Sequence, residues 1–546
     1  MKPPSAILVV LASLGLMAAA AFVFYRAALP ELYTGVVGTN ATTSWTPEIL
    51  QPDSPDFLPD FSFAGYDWGE SVPPTHTETH SVLSFGAIPD DGIDDTKSFI
   101  RALQAIQVDT GSVVLAIPTG RFILRDVLFI ERSNLVIQGN SEGGSTLFFP
   151  DHLSGMANEK ADSILLDVSQ YIEANDLRNL LTPYSQFAWS GGVIWVRQPA
   201  ASDKILTSAT AGSRGKSLIS VESVENLVPG MTIQLEWYNR DGPDGSLLKH
   251  VLGPYDLPIG ERLFESPEKA LIRQPVTIQE VRDGQLVVKE PLLHDIRPEW
   301  TVRIRETAFL HNIGIENLTI EFPDADYGGH HLDKGFNGIY LSDLEHSWLR
   351  NIRVRNADSA ILTMNSKNVS VSDLHISGRN GHHSVYLSHT YGFLVTDFNI
   401  QSGALHNPSF NTGSTLSVFS HGRIHDAVLD QHGGLNHQNL YDDLQTDNTK
   451  DLMNHGGAAY WKPTAGRFNT FWNIVAREGT SFASVTRNAP EARIVGLRGP
   501  RESLSFRYGP SAYVEGLNRK GIAVESLYEY QLEQRLSKGL LQRLSR

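Results

Sequence analysis

The chain has 546 residues, with 45 Lys+Arg against 61 Asp+Glu, a net charge of −16 and no Cys. At 41% hydrophobic and 19% charged, with 46 Gly and 28 Pro, it is too apolar for a disordered protein and too ordinary in Gly and Pro for collagen. The lack of thiols excludes disulfides, a cysteine nucleophile and thiolate zinc sites, and the acidic balance argues against general nucleic-acid binding.

Residues 1–30 contain an uncharged run from Ala6 to Tyr25, flanked by Lys2 and Arg26. Twenty residues at about 1.5 Å each just span a bilayer core of about 30 Å. The small residues Ala18 to Ala21 permit cleavage. The run reads equally as a signal peptide and as a membrane anchor, and both predict an exported chain, periplasmic, extracellular or anchored facing outward. Residues 31–75, rich in Pro, Thr, Ser and Asp, read as a lead-in onto the first folded element.

A short apolar run from Val82 ends at Gly86 and is followed by an Asp/Gly turn. Asp94 or Asp95 then caps a predicted helix with Phe99, Ile100, Leu103 and Ile106 on one face. Two β runs broken by Pro118-Thr119-Gly120 follow, and residues 133–139 add another. The stretches FGAIPDDGIDDTKSFIRALQAI and GSVVLAIPTGRFIL resemble the opening of the pectate-lyase superfamily. That resemblance implies a right-handed parallel β-helix whose amino-terminal helix caps residues 76–200. It leaves the reaction open, because the superfamily includes lyases, glycoside hydrolases, epimerases and phage tailspikes.

Residues 201–305 read as an inserted β subdomain, with β runs at 216–224, 231–235 and 276–281 and an Asp283-Gly284 hairpin. Between 306 and 510 a polar pair followed by alternating apolar residues recurs at Asn317, Asn351, Asp373 and Asp397, with Asp426 as the expected next copy. Strands repeating at this spacing without helices between them predict stacked coils, each burying its neighbour's apolar side. Residues 511–546 predict an amphipathic helix, Tyr528, Leu532, Leu536, Leu540 and Leu544 recurring every fourth residue, that caps the stack or lies on its side.

Thirteen of the 19 His fall between residues 324 and 467. The doublets His330/His331 and His382/His383 stand beside Gly and charged residues, just before predicted strands. Equivalent places on successive coils are about 4.8 Å apart and form a line. Such a line, with Asp333, Lys334, Asp358 and Arg379, is a groove suited to an extended polysaccharide. Polygalacturonases resemble this chain around Asp358, but at their second carboxylate pair stand Gly381-His382-His383. Inverting hydrolysis needs two carboxyls about 6.5–9.5 Å apart, so that mechanism does not carry over by position. β-Elimination at a uronic acid instead needs a cation (Arg379 or Lys334), a base (His382 or His383) and an acid (Tyr386). His330, His331, Asp333, Lys334, His406, His437, Asp442, Asp443 and Trp461 are then expected to bind the substrate. Two alternatives remain. Asp442, Asp443 and Asp447 supply carboxyls for a hydrolase or form a Ca²⁺ site, and the whole solenoid is a non-catalytic, tailspike-like or adhesin-like glycan binder. His421 and His425 have HxxxH spacing, but off a helix they do not share a face for zinc.

Overall fold

The computed structural model describes residues 32–36, 44–164 except 108, 110 and 157, 184–447 except 201, and 451–544 except 454, 478–488 and 502. The apolar run at 6–25 lies outside the described residues. Among the described residues, no helix is long and apolar enough to cross a membrane.

Parallel pairing in register builds the main body. Ile315, Leu349, Val371, Val395, Phe419, Tyr441 and Phe471 stack one above another on successive coils. Leu318, Ile352, Leu374, Phe398, Gly422 and Leu444 form a second column. These columns are the core, a single continuous cluster from the amino-terminal helix to Phe506 and Tyr508. Gly422 is required in the second column, because a Cβ there would lie 2.1 Å from the ring of Phe398.

The sequence repeat marks the corners of this solenoid. Asn317, Asn351, Asp373 and Asp397 all adopt positive φ, between 51° and 56°. Asn and Asp tolerate the left-handed region, so the chain bends there from one face of the coil to the next. Neighbouring corner side chains bond each other, as in Asn351 Nδ2 to Asn317 Oδ1 at 2.9 Å. The next corner is His421, φ 53°, and not Asp426, because Ser420 and Gly422 pair with Thr396 and Phe398. Asp443 takes the corner after it and accepts a hydrogen bond from His421 Nδ1 at 2.9 Å.

The helix Thr96–Ile106 covers one end, with Phe99, Ala102 and Ile106 buried and Leu103 half-buried against the core. Asp94 Oδ1 accepts the Thr96 amide, while Asp95 turns back to accept that of Ile88. Between the coil ending at Val196 and the one resuming at Leu310, the chain leaves to form a closed antiparallel barrel. Its strands are Ile205–Gly212, Leu218–Val221, Thr232–Tyr238, Ile272–Arg282, Gln285–Val288 and Thr301–Glu306. A separate core inside the barrel contains Trp237, Ile233, Val276 and Ile304.

The carboxy-terminal helix Leu527–Leu544 lies along the side of the stack, over the lead-in. Arg535 donates to the carbonyls of Ser62 and Trp68, at 2.8 and 2.6 Å, and pairs with Glu70. Hydrogen bonds to a charged group contribute about 1.5–3 kcal/mol each. Arg535→Ala is therefore expected to release this helix selectively. Hydrogen exchange across 527–538 should rise at least tenfold while the strands at 371–400 stay protected; equal protection in both would refute the latch.

A second contact of the same helix is pH-dependent. His421 Nδ1 meets Asp443, and its Nε2 makes an ion-pair contact of 3.2 Å with Glu529. The Asp443 hydrogen bond raises the His421 pKa to about 9, with Glu529 helping against burial. A raised folded pKa means this stabilisation is complete below the unfolded value of about 6.5 and is lost as pH rises through about 9. Since His421 is partly solvated, solvent screening leaves about 1 kcal/mol at stake. Proteolysis of the helix should accelerate between pH 6.5 and 9.5 in the native protein, and His421→Gln should flatten that dependence.

Candidate active site

The imidazole doublets converge on one cleft. Gly381–Leu387 places His383 in parallel register with His406 of the next coil, ring centroids 4.9 Å apart and nearly stacked. The amides of His382 and His383 both approach the Asp358 carbonyl, at 2.6 and 3.4 Å. Two residues facing one acceptor is the local distortion that turns adjacent imidazoles to the same side. Their centroids lie 4.1 Å apart. His330 and His331 arrive from the 328–335 loop, where Gly329, His331 and Gly335 have positive φ. His330 is 5.0 Å from His382 and 5.8 Å from His406, ring to ring.

Two buried carboxylates orient these rings from behind. Asp333 faces His382 Nδ1 at 3.0 and 3.1 Å. Asp430 Oδ2 holds Nδ1 of His406 at 2.9 Å and of His432 at 3.0 Å. Burial and the neighbouring Asp358 push Asp333 up to about 8. Burial also lowers His330 to about 4 and His331 to about 3, reinforced by neighbouring imidazoles, and holds His382 and His383 well below 6.5. Asp430 moves the opposite way, held below the ordinary carboxylate range by His406 and His432 against its burial. The two doublets therefore present neutral imidazoles, and buried carboxyl groups preorient His382, His406 and His432. His383 Nδ1 is buried with no hydrogen-bond partner.

The cleft holds about 260 Å³ and is lined by His331, His382, His383, His406 and His432 together with Tyr386, Tyr184, Trp189, Tyr460 and Trp461. Aromatic faces of this kind suit the apolar faces of sugar rings. Among the described residues its lining contains no Asp or Glu. Through His389, Thr412 and Trp461 it continues into a second pocket of about 210 Å³ between coils and barrel. Arg262, Lys269 and Arg273 line that pocket, with Glu265 paired to Arg262 at 3.0 Å.

Other expected site residues lie elsewhere. Asp358 is buried, accepts the amides of Gly335 and Phe336 at 2.9 and 3.0 Å, and pairs with Arg379 at 2.6 Å. That pair anchors the 328–335 loop behind the cleft and is spent on backbone and on itself. Lys334 is exposed outside the cleft lining, its carbonyl taken by Ser154. His437 lines the second pocket and meets His294 of the barrel, Nε2 to Nε2, at 2.8 Å. Asp442 is buried beneath the carboxy-terminal helix, accepting Ser526 Oγ at 2.6 Å and the Leu527 amide at 2.8 Å. Asp443 is a corner residue, so neither Asp442 nor Asp443 is free to hold Ca²⁺ or to act as a cleft carboxyl. His425 pairs with Asp447, apart from His421.

Sequence reasoning missed Asp430, Tyr184, Trp189 and Tyr460, and passed over His432 as a site residue. Asp430 and His432 are two apart on one strand and so share a face, which is the signal that was available.

Neither the protein-family models nor the curated proteins contain a match to this chain. Solved structures do match. The tailspike of Acinetobacter baumannii bacteriophage AP22, solved with A. baumannii capsular saccharide, is 9% identical over 78% of this chain, TM-score 0.42; this chain spans only 58% of its length. The tailspike protein gp49 of Pseudomonas phage LKA1 is 13% identical over 80% of this chain and 73% of its own, TM-score 0.42. The family 28 exopolygalacturonase of Yersinia enterocolitica is 12% identical over 81% and 78%, TM-score 0.33. These are right-handed parallel β-helix proteins of the pectate-lyase superfamily, and at such identities the likeness concerns the fold alone. The fold, a right-handed parallel β-helix, stands on the in-register parallel pairing of successive coils.

Proposed function

We propose that the protein cleaves an acidic polysaccharide by β-elimination in the imidazole-lined cleft. The observation that carries this reading is the composition of the lining. It offers a base and an acid, His383 and Tyr386 with ring centroids 4.8 Å apart, and no described carboxylate for hydrolysis. His383 takes the C5 proton of a uronic acid residue, the electron pair forms the C4–C5 double bond, and the C4–O bond breaks. Tyr386 delivers a proton to the departing oxygen. Arg379 and Lys334, the cations expected from the sequence, do not line the cleft. In the adjoining pocket Lys269, beside Arg262 paired to Glu265 and Arg273 paired to Glu236, supplies positive charge toward carboxylates of neighbouring sugar units.

Incubation of the full chain with a panel of acidic and neutral glycans tests the reading. Ultraviolet absorbance from an unsaturated uronate on an acidic substrate is the expected result. New reducing ends without that absorbance would replace it with hydrolysis. Binding with no cleavage across the panel would leave a glycan-binding solenoid.

A further inference from the structure

We propose that His330, His331 and His382 bind one divalent first-row metal ion of the zinc class, with a fourth coordination position open to the cleft. The candidate donor atoms of the three rings lie within 4.8 Å of one another. A tetrahedral zinc ion with Zn–N distances of about 2.0–2.1 Å brings its ligands to roughly 3.4 Å of each other. Closing that gap needs about an ångström of movement, and the donors that must move are on the loop. His330 is exposed and His331 half-buried, and neither imidazole makes a hydrogen bond to another described residue, although the His331 carbonyl accepts the Ser185 amide at 2.8 Å and its ring packs on Tyr184. His382 is the fixed member, its Nδ1 held by Asp333 and its Nε2 left as donor. A carboxyl group hydrogen-bonded behind a ligating imidazole is the recurrent support of such centres, because it fixes the ring orientation. His331 and His382 both line the cleft, so the vacant position faces whatever occupies it.

The neighbouring trio of His406, Asp430 and His432 also comes within ligand distance but is already satisfied. Its carboxylate accepts both imidazoles, Ser409 Oγ at 2.8 Å and the Gly456 amide at 2.7 Å. Three of these four contacts fall on Oδ2, which has no lone pair to spare for a cation shared with the two imidazoles. Three nitrogen donors select zinc, cobalt or nickel over calcium and magnesium, which require oxygen ligands.

Metal binding stands apart from the elimination reading and is measured without substrate. Full-length protein without a histidine tag is treated with chelator and titrated with Co²⁺. One ion per chain should bind, with a visible d–d spectrum, be displaced by Zn²⁺, and be unaffected by Ca²⁺. X-ray absorption of the Zn²⁺-loaded protein should count three imidazoles. His330→Ala and His331→Ala, on a loop where truncation spares the core, should each weaken binding at least tenfold, and His425→Ala on the distant surface should leave it within twofold. Absence of stoichiometric binding would overturn the proposal. So would binding that survives the double loop variant and is lost in His432→Ala, or a zinc shell with fewer than two imidazoles. Cleavage by metal-free protein would bear on the elimination reading alone.

Discussion

His383→Ala is expected to lower turnover on a cleavable glycan by about 10²–10⁴-fold, the usual contribution of a positioned general base. The effect should fall on kcat more than on KM, because the stacking surface of Trp189, Tyr460 and Trp461 stays intact. His383 is distinguished from the three carboxylate-held imidazoles of the cleft by what it lacks. His382, His406 and His432 each have Nδ1 held by a carboxylate, whereas His383 Nδ1 is buried without a partner. A buried polar atom without a partner costs about 1–3 kcal/mol, and such a cost persists where a ligand relieves it. The His383 ring sits between His382 and His406 at 4.1 and 4.9 Å, with Tyr386 at 4.8 Å. Removing it leaves the coil pairing of Gly381–Leu387 untouched. Kinetics would be read together with the thermal midpoint; near-normal kcat in a folded His383→Ala protein would remove this residue as the base.

The solenoid was legible because its corners impose a residue type. A left-handed bend on each coil admits Asn and Asp, so the polar half of the repeat appears at Asn317, Asn351, Asp373 and Asp397. The register was lost at the next coil, where His421 takes the corner with support from Asp443 and Gly422 replaces an apolar residue. Pattern reading has no means of recognising a histidine that substitutes for Asn. In the cleft, the two doublets announced themselves by local sequence. Their carboxylate partners did not, because Asp430 reaches His406 only through the stacking of coils. Asp358 with Arg379 has the residue types of a catalytic pair, but the amides of Gly335 and Phe336 claim its carboxylate, and backbone partners leave no trace in sequence. Tyr184 and Trp189, well over a hundred residues before the doublet strand, join the cleft by tertiary folding alone.

Lys367→Met is expected to loosen the barrel from the coils by about 3–5 kcal/mol, the usual consequence of removing one partner of a buried ion pair. Lys367 is only 1% exposed, a charged residue on the strand Ser359–Ser377 enclosed at the junction with the barrel. Its Nζ lies 2.7 Å from Glu290 Oε1, 3.1 Å from Thr277 Oγ1 and 3.9 Å from Glu345 Oε2. Glu290 in turn accepts the Trp68 indole N–H at 2.6 Å and the Thr277 amide at 2.8 Å. One ammonium thus joins a coil, the barrel and the lead-in. Methionine fills the volume but leaves Glu290 and Glu345 facing each other's charge with no cation between them. Every 1.4 kcal/mol is a factor of ten, so hydrogen exchange in Ile272–Arg282 should rise roughly 100- to 4000-fold while Leu394–Ile400 changes little. Adding Glu290→Gln to Lys367→Met should restore part of the protection, because the two residues are coupled. Unchanged exchange at the barrel strand would mean that the junction is held by its apolar contacts and that the buried lysine contributes nothing to it.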